Sequence, residues 1–386
     1  MRSIELFAGG GGLAIGLEHA GFSPCAIIEQ NKDACRTLRQ NYLIDNQHIL
    51  FEGDICSFNY DTVDNPEHDP VRLVSGGPPC QPFSLGGNHK AHNDNRDMFP
   101  EAVRAIRELK PQAFVFENVK GLLRKSFAEY FEYILLQLQY PSMDKLADED
   151  WEQHLARLEQ HHTKHHEEEL EYKVVFRLLN SANYGVPQKR ERVFIVGFRA
   201  DLDVGWSFPE TTHSEDALFW DQWVTGDYWP RHNLDRPSSN EKINRKISKL
   251  KKKYGLFAPD KMPWVTVRDA LADIPHPQLE NSTLKNHEFK DGARTYPGHT
   301  GSYIDDPSKT LKAGAHGVPG GENMIRYPDD SVRYFTVRES ARIQTFPDDY
   351  ALEGAWGEAM RQLGNAVPVK LARILGESIH QSLSKL

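Results

Sequence analysis

The stretch that most constrains this chain is Ser3-Ile4-Glu5-Leu6-Phe7-Ala8 followed by Gly9-Gly10-Gly11-Gly12. The apolar run reads as a buried strand, the glycines as a tight loop, and Leu13 to Ala20 as a helix with 3.6-residue spacing. Strand, glycine loop and helix in that order let backbone N–H groups approach a ligand at a helix N-terminus. A second strand, Pro24 to Ile28, ends in Glu29, twenty residues after Gly9. An acidic residue at that offset can accept hydrogen bonds from ribose hydroxyls. A third strand around Ile49 to Glu52 runs into Gly53-Asp54-Ile55. The pattern suits a nucleoside-containing cofactor and leaves two kinds open, a dinucleotide and S-adenosylmethionine. Four consecutive glycines lack the strict GxGxxG order, which tilts the balance toward the second.

Two further strand ends carry chemistry. Val71-Arg72-Leu73-Val74 reads as a buried strand that breaks into Ser75-Gly76-Gly77-Pro78-Pro79, with Cys80 held between Pro79 and Pro82. A thiol there lies at the carboxyl end of a strand, where open α/β sheets bind ligands; the alternative is a Pro/Gly turn that happens to hold a cysteine. Ser84 to Asp97 is polar, contains Gly86 and Gly87, and reads as a mobile loop. Met98 to Lys110 is helical, and Ala113-Phe114-Val115-Phe116 is a fifth strand ending in Glu117-Asn118-Val119. Cys80 and Glu117 thus lie just beyond strands of one sheet and can face each other.

At 386 residues the chain exceeds the size at which single cores usually split, so two domains are expected. Its 39% hydrophobic and 26% charged content describes a soluble globular protein. No apolar run approaches the roughly 18 residues of a membrane span. The N-terminus enters a strand without a signal-peptide pattern, so a cytoplasmic protein is expected. The four cysteines match no zinc spacing; Cys25, Cys35 and Cys56 read as reduced core or surface thiols. The net charge of −9 conceals an uneven distribution. Asp144 to Tyr172 holds ten acidic residues against three basic ones, whereas Glu241 to Tyr254 holds seven basic residues against one acid. His161, His162, His165 and His166 fall in the acidic stretch and invite a metal reading, but Trp151 to Tyr172 is expected as an exposed helix pair. In the basic run Ile243, Ile247, Leu250 and Tyr254 recur at helical spacing, so an amphipathic helix is expected. Its cations suit either phosphate contact or a solvated face, since a polyanion partner needs a basic face and not a basic total.

Taken together, six segments resemble the DNA (cytosine-5)-methyltransferase family. They are Glu5 to Gly12, Pro78-Pro79-Cys80-Gln81, Glu117-Asn118-Val119, Asn183 to Arg192 (Asn-Tyr-Gly-Val-Pro-Gln-Lys-Arg-Glu-Arg), Arg338 to Pro347 (Arg-Glu-Ser-Ala-Arg-Ile-Gln-Thr-Phe-Pro) and Leu363-Gly364-Asn365-Ala366-Val367-Pro368. All stand in family order, and the resemblance does not reach most of 140–172 or 205–305. It implies an α/β fold: a Rossmann-like S-adenosylmethionine-dependent methyltransferase domain with a mixed seven-stranded sheet. A smaller, irregular target-recognition domain would stand across a DNA cleft. The boundaries expected are 1–204 plus 355–386 for the catalytic and cofactor-binding domain, with an acidic helical insertion at about 141–172, and 205–354 for target recognition and hinge.

The same resemblance implies the chemistry. Cys80 matches the family's nucleophile for cytosine C6, and Glu117 matches the glutamate on the N3/N4 edge. Arg192, and less directly Arg190, match the arginines that anchor the base at O2 and support the site. S-adenosyl-L-methionine, leaving as S-adenosyl-L-homocysteine, would be held by Phe7, Ala8, Gly9, Gly10, Gly11, Gly12, Glu29, Asp54, Ile55, Pro79, Asn365 and Val367. No metal is expected. The target cytosine must be flipped out of the duplex, with the loop from Ser84 closing over it, Arg96 as a phosphate or loop-closure contact and Gly86 near the vacated space. Pro307 to Lys312 resembles the family's Thr-Leu element, Gly314 to Gly321 a loop suited to the major groove, and Lys312, His316, Asn323 and Arg326 are candidate base readers. The expected partner is double-stranded DNA and no membrane, for a nucleoid-associated monomer paired functionally, though not in a stable complex, with a restriction endonuclease. Alternatives are a tRNA cytosine-5 methyltransferase, a catalytically silent DNA-binding protein and, on the glycine loop alone, a nicotinamide dehydrogenase.

Overall fold

The apolar run at the N-terminus becomes β1 (Arg2–Leu6), with Ile4 and Leu6 fully buried. A computed structural model of the chain describes residues 1–42, 49–63, 69–79, 97–164, 170–279, 284–313 and 323–386. Cys80, the loop from Ser84 with Gly86 and Arg96, His165 and His166, and Gly314 to Gly321 with His316 lie outside the described residues. The chain divides into two compact units. The first comprises Met1–Leu179, Glu191–Pro209 and Ala372–Leu386; the second comprises Asn180–Arg190 and Glu210–Leu371.

In the first unit, β1 is followed by α1 (Gly12–His19), β2 (Ser23–Glu29), α2 (Lys32–Tyr42), β3 (Leu50–Glu52), β4 (Leu73–Gly76), α3 (Phe99–Leu109) and β5 (Ala113–Val119). After α4 (Ala128–Gln139), α5 (Trp151–Lys164) and β6 (Tyr172–Asn180), the short β7 (Gln188–Lys189) pairs elsewhere, and β8 (Glu191–Arg199) returns to the sheet. Among the described residues the seven-stranded sheet runs β3-β2-β1-β4-β5-β8-β6. The first five strands are parallel and β8 is antiparallel to β5. The sheet is therefore mixed, as expected. The chain winds outward from β1 in one direction to β2 and β3 and in the other to β4 and β5. Outside the carboxyl ends at that switch point is where open α/β sheets bind ligands.

Helices cover this sheet because their apolar residues fall on one face. In α3 Phe99, Ala102, Val103, Ile106 and Leu109 are buried at i, i+3, i+4, i+7 and i+10. Pro100 sits in its first turn, where a missing N–H costs nothing. These residues pack with Ile4, Leu6, Val74, Phe114 and Phe116 in one core. At the C-terminus α12 (Val369–Leu383) lies on α1: a Cβ on Gly376 would come within 2.7 Å of Ala20 Cβ and 2.9 Å of Leu17 Cδ2.

The acidic insertion departs from expectation. Trp151–Lys164 is a helix that is not simply exposed: His154, Leu155, Leu158 and His161 form a buried face. Leu155 and Leu158 join the same core as the sheet. His154 Nδ1 lies 2.9 Å from Tyr133 Oη and its Nε2 2.7 Å from Met143 O, while Tyr140 faces His161 and His162. His154, His161 and His162 are thus packing and hydrogen-bonding residues. The charges hid a stripe that three- and four-residue spacing could have revealed.

The second unit is built from short pieces: β9 (His213–Ser214), α6 (Glu215–Trp220), α7 (Tyr228–Arg231), α8 (Glu241–Tyr254), β10 (Met262–Pro263) and α9 (Val267–Ala270). They continue as β11 (Ser302–Tyr303), β12 (Ser308–Lys309), β13 (Met324–Arg326), β14 (Val332–Tyr334), α10 (Val337–Ile343) and α11 (Trp356–Asn365). Small apolar clusters hold it, among them one around Tyr228, Trp229 and Trp264 and one around Ile304, Ile325 and Phe335.

Candidate active site at the carboxyl edge of the sheet

β1 stops at Leu6, earlier than its apolar run suggests, because Phe7 adopts φ 55° and turns the chain. Ala8 N–H then donates to Ile28 O at 3.2 Å, and Gly9 (φ 54°) and Gly11 (φ 82°) complete a loop that only glycine enters cheaply. Gly11 caps α1 without a side-chain cap. Glu29, at the end of β2, is held by two backbone donors. Gly9 N–H reaches Oε2 and Asn31 N–H reaches Oε1, each at 2.7 Å. Gly53 N–H donates to Glu29 O at 3.0 Å, which brings Asp54 beside it. Asp54 caps the turn Ile55–Ser57 and is exposed, while Ile55 is buried. The Cys56 N–H holds the Asp54 carboxyl below its usual range.

These residues fit a nucleoside-bearing group such as S-adenosyl-L-methionine. Two fixed carboxylates stand at neighbouring strand ends, and a Cβ on Gly9 would meet no heavy atom within 4 Å, so the space before the loop is open. A side chain there would occupy it.

β5 continues to Val119 because β8 pairs with it beyond the parallel neighbours: Glu117 opposes Phe194 and Val119 opposes Arg192. Glu117 is therefore inside the strand and not just past it. Side chains alternate along a strand, so Glu117 and Arg192 are diagonal neighbours on one face. Arg192 Nε lies 2.8 Å from Glu117 Oε1. The charges pair, but the N–H is not aimed at that oxygen, and Oε1 is buried with no hydrogen bond among the described residues. Oε2 lies 3.5 Å from the place a Cβ on Gly77 would take, so glycine there keeps the carboxylate approachable.

The segment bearing Cys80 leaves the sheet beside this carboxylate. Asn118 Nδ2 donates to Pro78 O at 3.0 Å, and Met98 N–H donates to Pro79 O at 3.0 Å. The residues flanking 80–96 are thereby bonded to each other at the base. Gly76 cannot be replaced, since a Cβ would lie 2.5 Å from Leu6 O. Asn118 had no role in the sequence reading, although it stands inside a quoted motif; a buried amide after a strand is the signal that was there. A surface cleft bounded by Arg72, Glu108, Gln112 and Arg199 lies at the opposite, amino ends of β4 and β5 and holds none of these residues.

The first unit thus brings together Phe7, Ala8, the glycine loop, Glu29, Asp54, Ile55, Pro79, Glu117 and Arg192. Arg190, Asn365 and Val367 belong to the second unit. Arg190 is almost fully buried, and its carbonyl accepts from Ser181 N and Oγ at 3.0 Å each. Asn365 ends α11 and is exposed, and Val367 is buried. The turn they occupy is clamped: Gln344 Nε2 donates to Leu363 O at 2.6 Å and Val369 N–H to Gln344 O at 3.0 Å. A Cβ on Gly364 would lie 2.3 Å from Ala313 N. Of the candidate base readers, Asn323 is a correction. It is buried, and its amide bonds Lys312 N and O at 3.0 and 3.1 Å, so it is spent on the backbone.

The family model for C-5 cytosine-specific DNA methylase matches residues 1–140 and 153–381. The type II methyltransferase M.PspPI of Psychrobacter sp. (strain TA137) is 32% identical over 385 residues, 99% of this chain and 79% of the relative. The type II methyltransferase M.Eco47II of Escherichia coli is 31% identical over 393 residues, again 99% and 79%. In fold, the chain is similar to the Dnmt2 methyltransferase of S. pombe (TM-score 0.56, 17% identity, 100% and 99% of the two chains). It is also similar in fold to the Entamoeba histolytica methyltransferase EhMeth (TM-score 0.55, 14% identity, 99% and 98%). The sheet is that of S-adenosylmethionine-dependent methyltransferases, and the chain belongs to the C-5 cytosine-specific DNA methylase family, as a DNA (cytosine-5-)-methyltransferase.

Proposed function

We propose that this protein methylates C5 of one cytosine within a short sequence of double-stranded DNA, through a covalent Cys80–C6 adduct on a flipped-out base. The observation that carries the reading is Glu117: a buried carboxylate oxygen, ion-paired at 2.8 Å with Arg192 yet accepting no hydrogen bond among the described residues, next to the strand whose continuation bears Cys80.

Cytosine C5 is a poor nucleophile until sulfur adds at C6, which splits one hard step into two easier ones. The Cys80 thiolate forms the Sγ–C6 bond while Glu117 shares a proton with N3, so charge does not build on the ring and the electron pair gathers at C5. Arg192 keeps Glu117 in place and has donors left for O2; buried Arg190 supports that end of the strand. When bound, S-adenosyl-L-methionine supplies the electrophilic methyl group that C5 accepts and leaves as S-adenosyl-L-homocysteine. Glu29, Asp54, Ile55, Phe7, Ala8, Pro79 and the glycine loop would hold it, with Asn365 and Val367 closing the methionine end. Afterwards the C5 proton passes to water and the Sγ–C6 bond breaks, which returns the thiolate.

The catalytic and cofactor-binding role falls to the first unit together with the 180–190 and 355–371 segments, and target recognition to the rest of the second. The type II names of the relatives support a protective role beside a restriction endonuclease, exercised by a monomer in the cytoplasm. Incubation with methyl-labelled cofactor and either duplex DNA or tRNA tests the substrate, and label in tRNA alone overturns it. Bisulfite sequencing of plasmid from expressing cells then reads the target and the position together.

A further inference from the structure

Helix α8 carries seven cations in fourteen residues, and the structure sorts them. Its apolar side is used: Leu250 is buried, Ile243 and Ile247 are half-buried, and Tyr254 meets Trp220 edge-on at 6.3 Å. On the borders of that face Lys246 pairs with Glu215 at 2.9 Å, and Lys253 with Asp216 at 2.7 Å. Tyr254 Oη donates to the same Asp216 at 2.9 Å. These bonds dock α8 on α6.

Five cations remain; exposed Lys251 lies on the other flank of the helix, half a turn from Lys242, and the other four share the outer side. Lys242, Arg245, Lys249 and Lys252 follow at i, i+3, i+7 and i+10, which at 100° per residue keeps them in one stripe. All four are exposed. Arg245 pairs only with Glu241, four residues before it, an exposed pair that gives way at little cost. Among the described residues Lys242, Lys249 and Lys252 have no partner. At about 1.5 Å per residue the stripe is about 15 Å long, the axial length over which a duplex presents about nine phosphate charges. Beyond it Gly255 turns the chain, and Leu256 and Phe257 stand 97% and 82% exposed.

We propose that this stripe binds the sugar–phosphate backbone of duplex DNA outside the bases that are read. The proposal rests on the functional reading above. A basic helix ending in exposed Leu-Phe also suits an anionic membrane surface, but such helices bury a whole apolar face in lipid. The apolar face of α8 is already occupied by α6, which leaves two residues at one tip. The stripe itself offers cations and no apolar surface, as a phosphate-tracking contact requires.

The test is the salt dependence of the whole protein's affinity for a long duplex of arbitrary sequence. Each phosphate contact contributes about 0.9 to the slope of log K against log salt. The combined variant Lys242→Gln, Arg245→Gln, Lys249→Gln, Lys252→Gln should flatten that slope by up to about 3.6, and each single variant by about 0.9. The matching variant with Arg at all four positions should keep the slope, which separates charge from a folding defect. An unchanged slope in the Gln variant overturns the assignment. So does binding to phosphatidylglycerol vesicles that the Gln variant loses while its DNA slope stays. Methyl transfer into DNA by the unaltered protein reports on the functional reading independently: if it occurs and the slope does not move, only the stripe assignment fails.

Discussion

The two compact units stay folded by different means. In the first, β1, β4 and β5 are largely apolar and buried on both faces, and Glu29, Asp54, Glu117 and Arg192 stand toward the carboxyl edge of the sheet. In the second, strands of two or three residues cannot bury enough, and buried polar clamps take their place. Arg338 is fully buried and donates to three carbonyls, Lys285 O, Pro347 O and Tyr350 O, at 3.1, 2.9 and 2.7 Å. Arg333 and Glu339 pair at 2.6 Å, and Asp305 takes Arg268 at 2.6 Å and Tyr228 Oη at 2.8 Å. Thr266 with Asp269, and Thr336 with Glu339, form capping boxes that start α9 and α10. Glu117 and Arg192 of the first unit are therefore available for chemistry, whereas the clamps of the second hold the backbone.

The largest effect expected from this difference is at Cys80. Cys80→Ser should abolish methyl transfer while binding of cofactor and DNA persists and thermal unfolding is unmoved, because the role proposed for Cys80 is bond formation with the base. Retained turnover refutes the nucleophile. Glu117→Gln comes next. It keeps the shape and loses the proton, so a fall in kcat of about 10²–10⁴ is expected, roughly 3–5 kcal/mol of barrier. A drop in thermal stability without that loss would make Glu117 a clamp like those of the second unit.

Arg338→Met reverses the expectation. Each buried acceptor left unsatisfied costs about 1–3 kcal/mol, so three carbonyls predict a loss of about 3 kcal/mol or more, visible as a lowered melting transition. Arg338→Lys should fall between, since an ammonium reaches fewer of the three. A change below about 1 kcal/mol in Arg338→Met would erase the distinction between the units.

The same distinction decides what could be read in the sequence. Continuous apolar runs placed β1, β2, β4 and β5, and helical spacing placed α1, α3 and α8, because those elements bury the residues their sequences mark as apolar. The length of β5 escaped that reading, since it depends on antiparallel β8, a partner more than seventy residues away. The packed face of α5 escaped it too, because His154 and His161 are buried there and do not count as apolar. In the second unit only motifs spoke. Arg338 to Pro347 and Leu363 to Pro368 stood out as matching segments, but nothing local says that Gln344 bridges them or that Gly364 admits Ala313. Those are contacts of the folded backbone, and residue type alone does not announce them.

One group in the first unit breaks its own rule. Glu5 lies in the middle of β1 and opposes Ser75 of β4, whose hydroxyl donates to its Oε2. Burial pushes its pKa from an ordinary 4.5 up to about 8, against the smaller downward pull of that hydrogen bond. Between those values the folded chain keeps the proton and the unfolded chain has lost it. The native state binds more protons there, so stability is fully present below about pH 4.5 and declines as pH rises toward 8. The slope is about 1.4 kcal/mol per pH unit at most. Glu5→Gln keeps a neutral hydrogen-bonding side chain of the same size and has no proton to lose. Melting temperatures of both proteins at pH 5, 6, 7 and 8 should diverge steadily, with the variant gaining on the parent toward pH 8. Parallel curves would mean that Glu5 ionises normally, and that the first unit tolerates a buried charge as the second unit does.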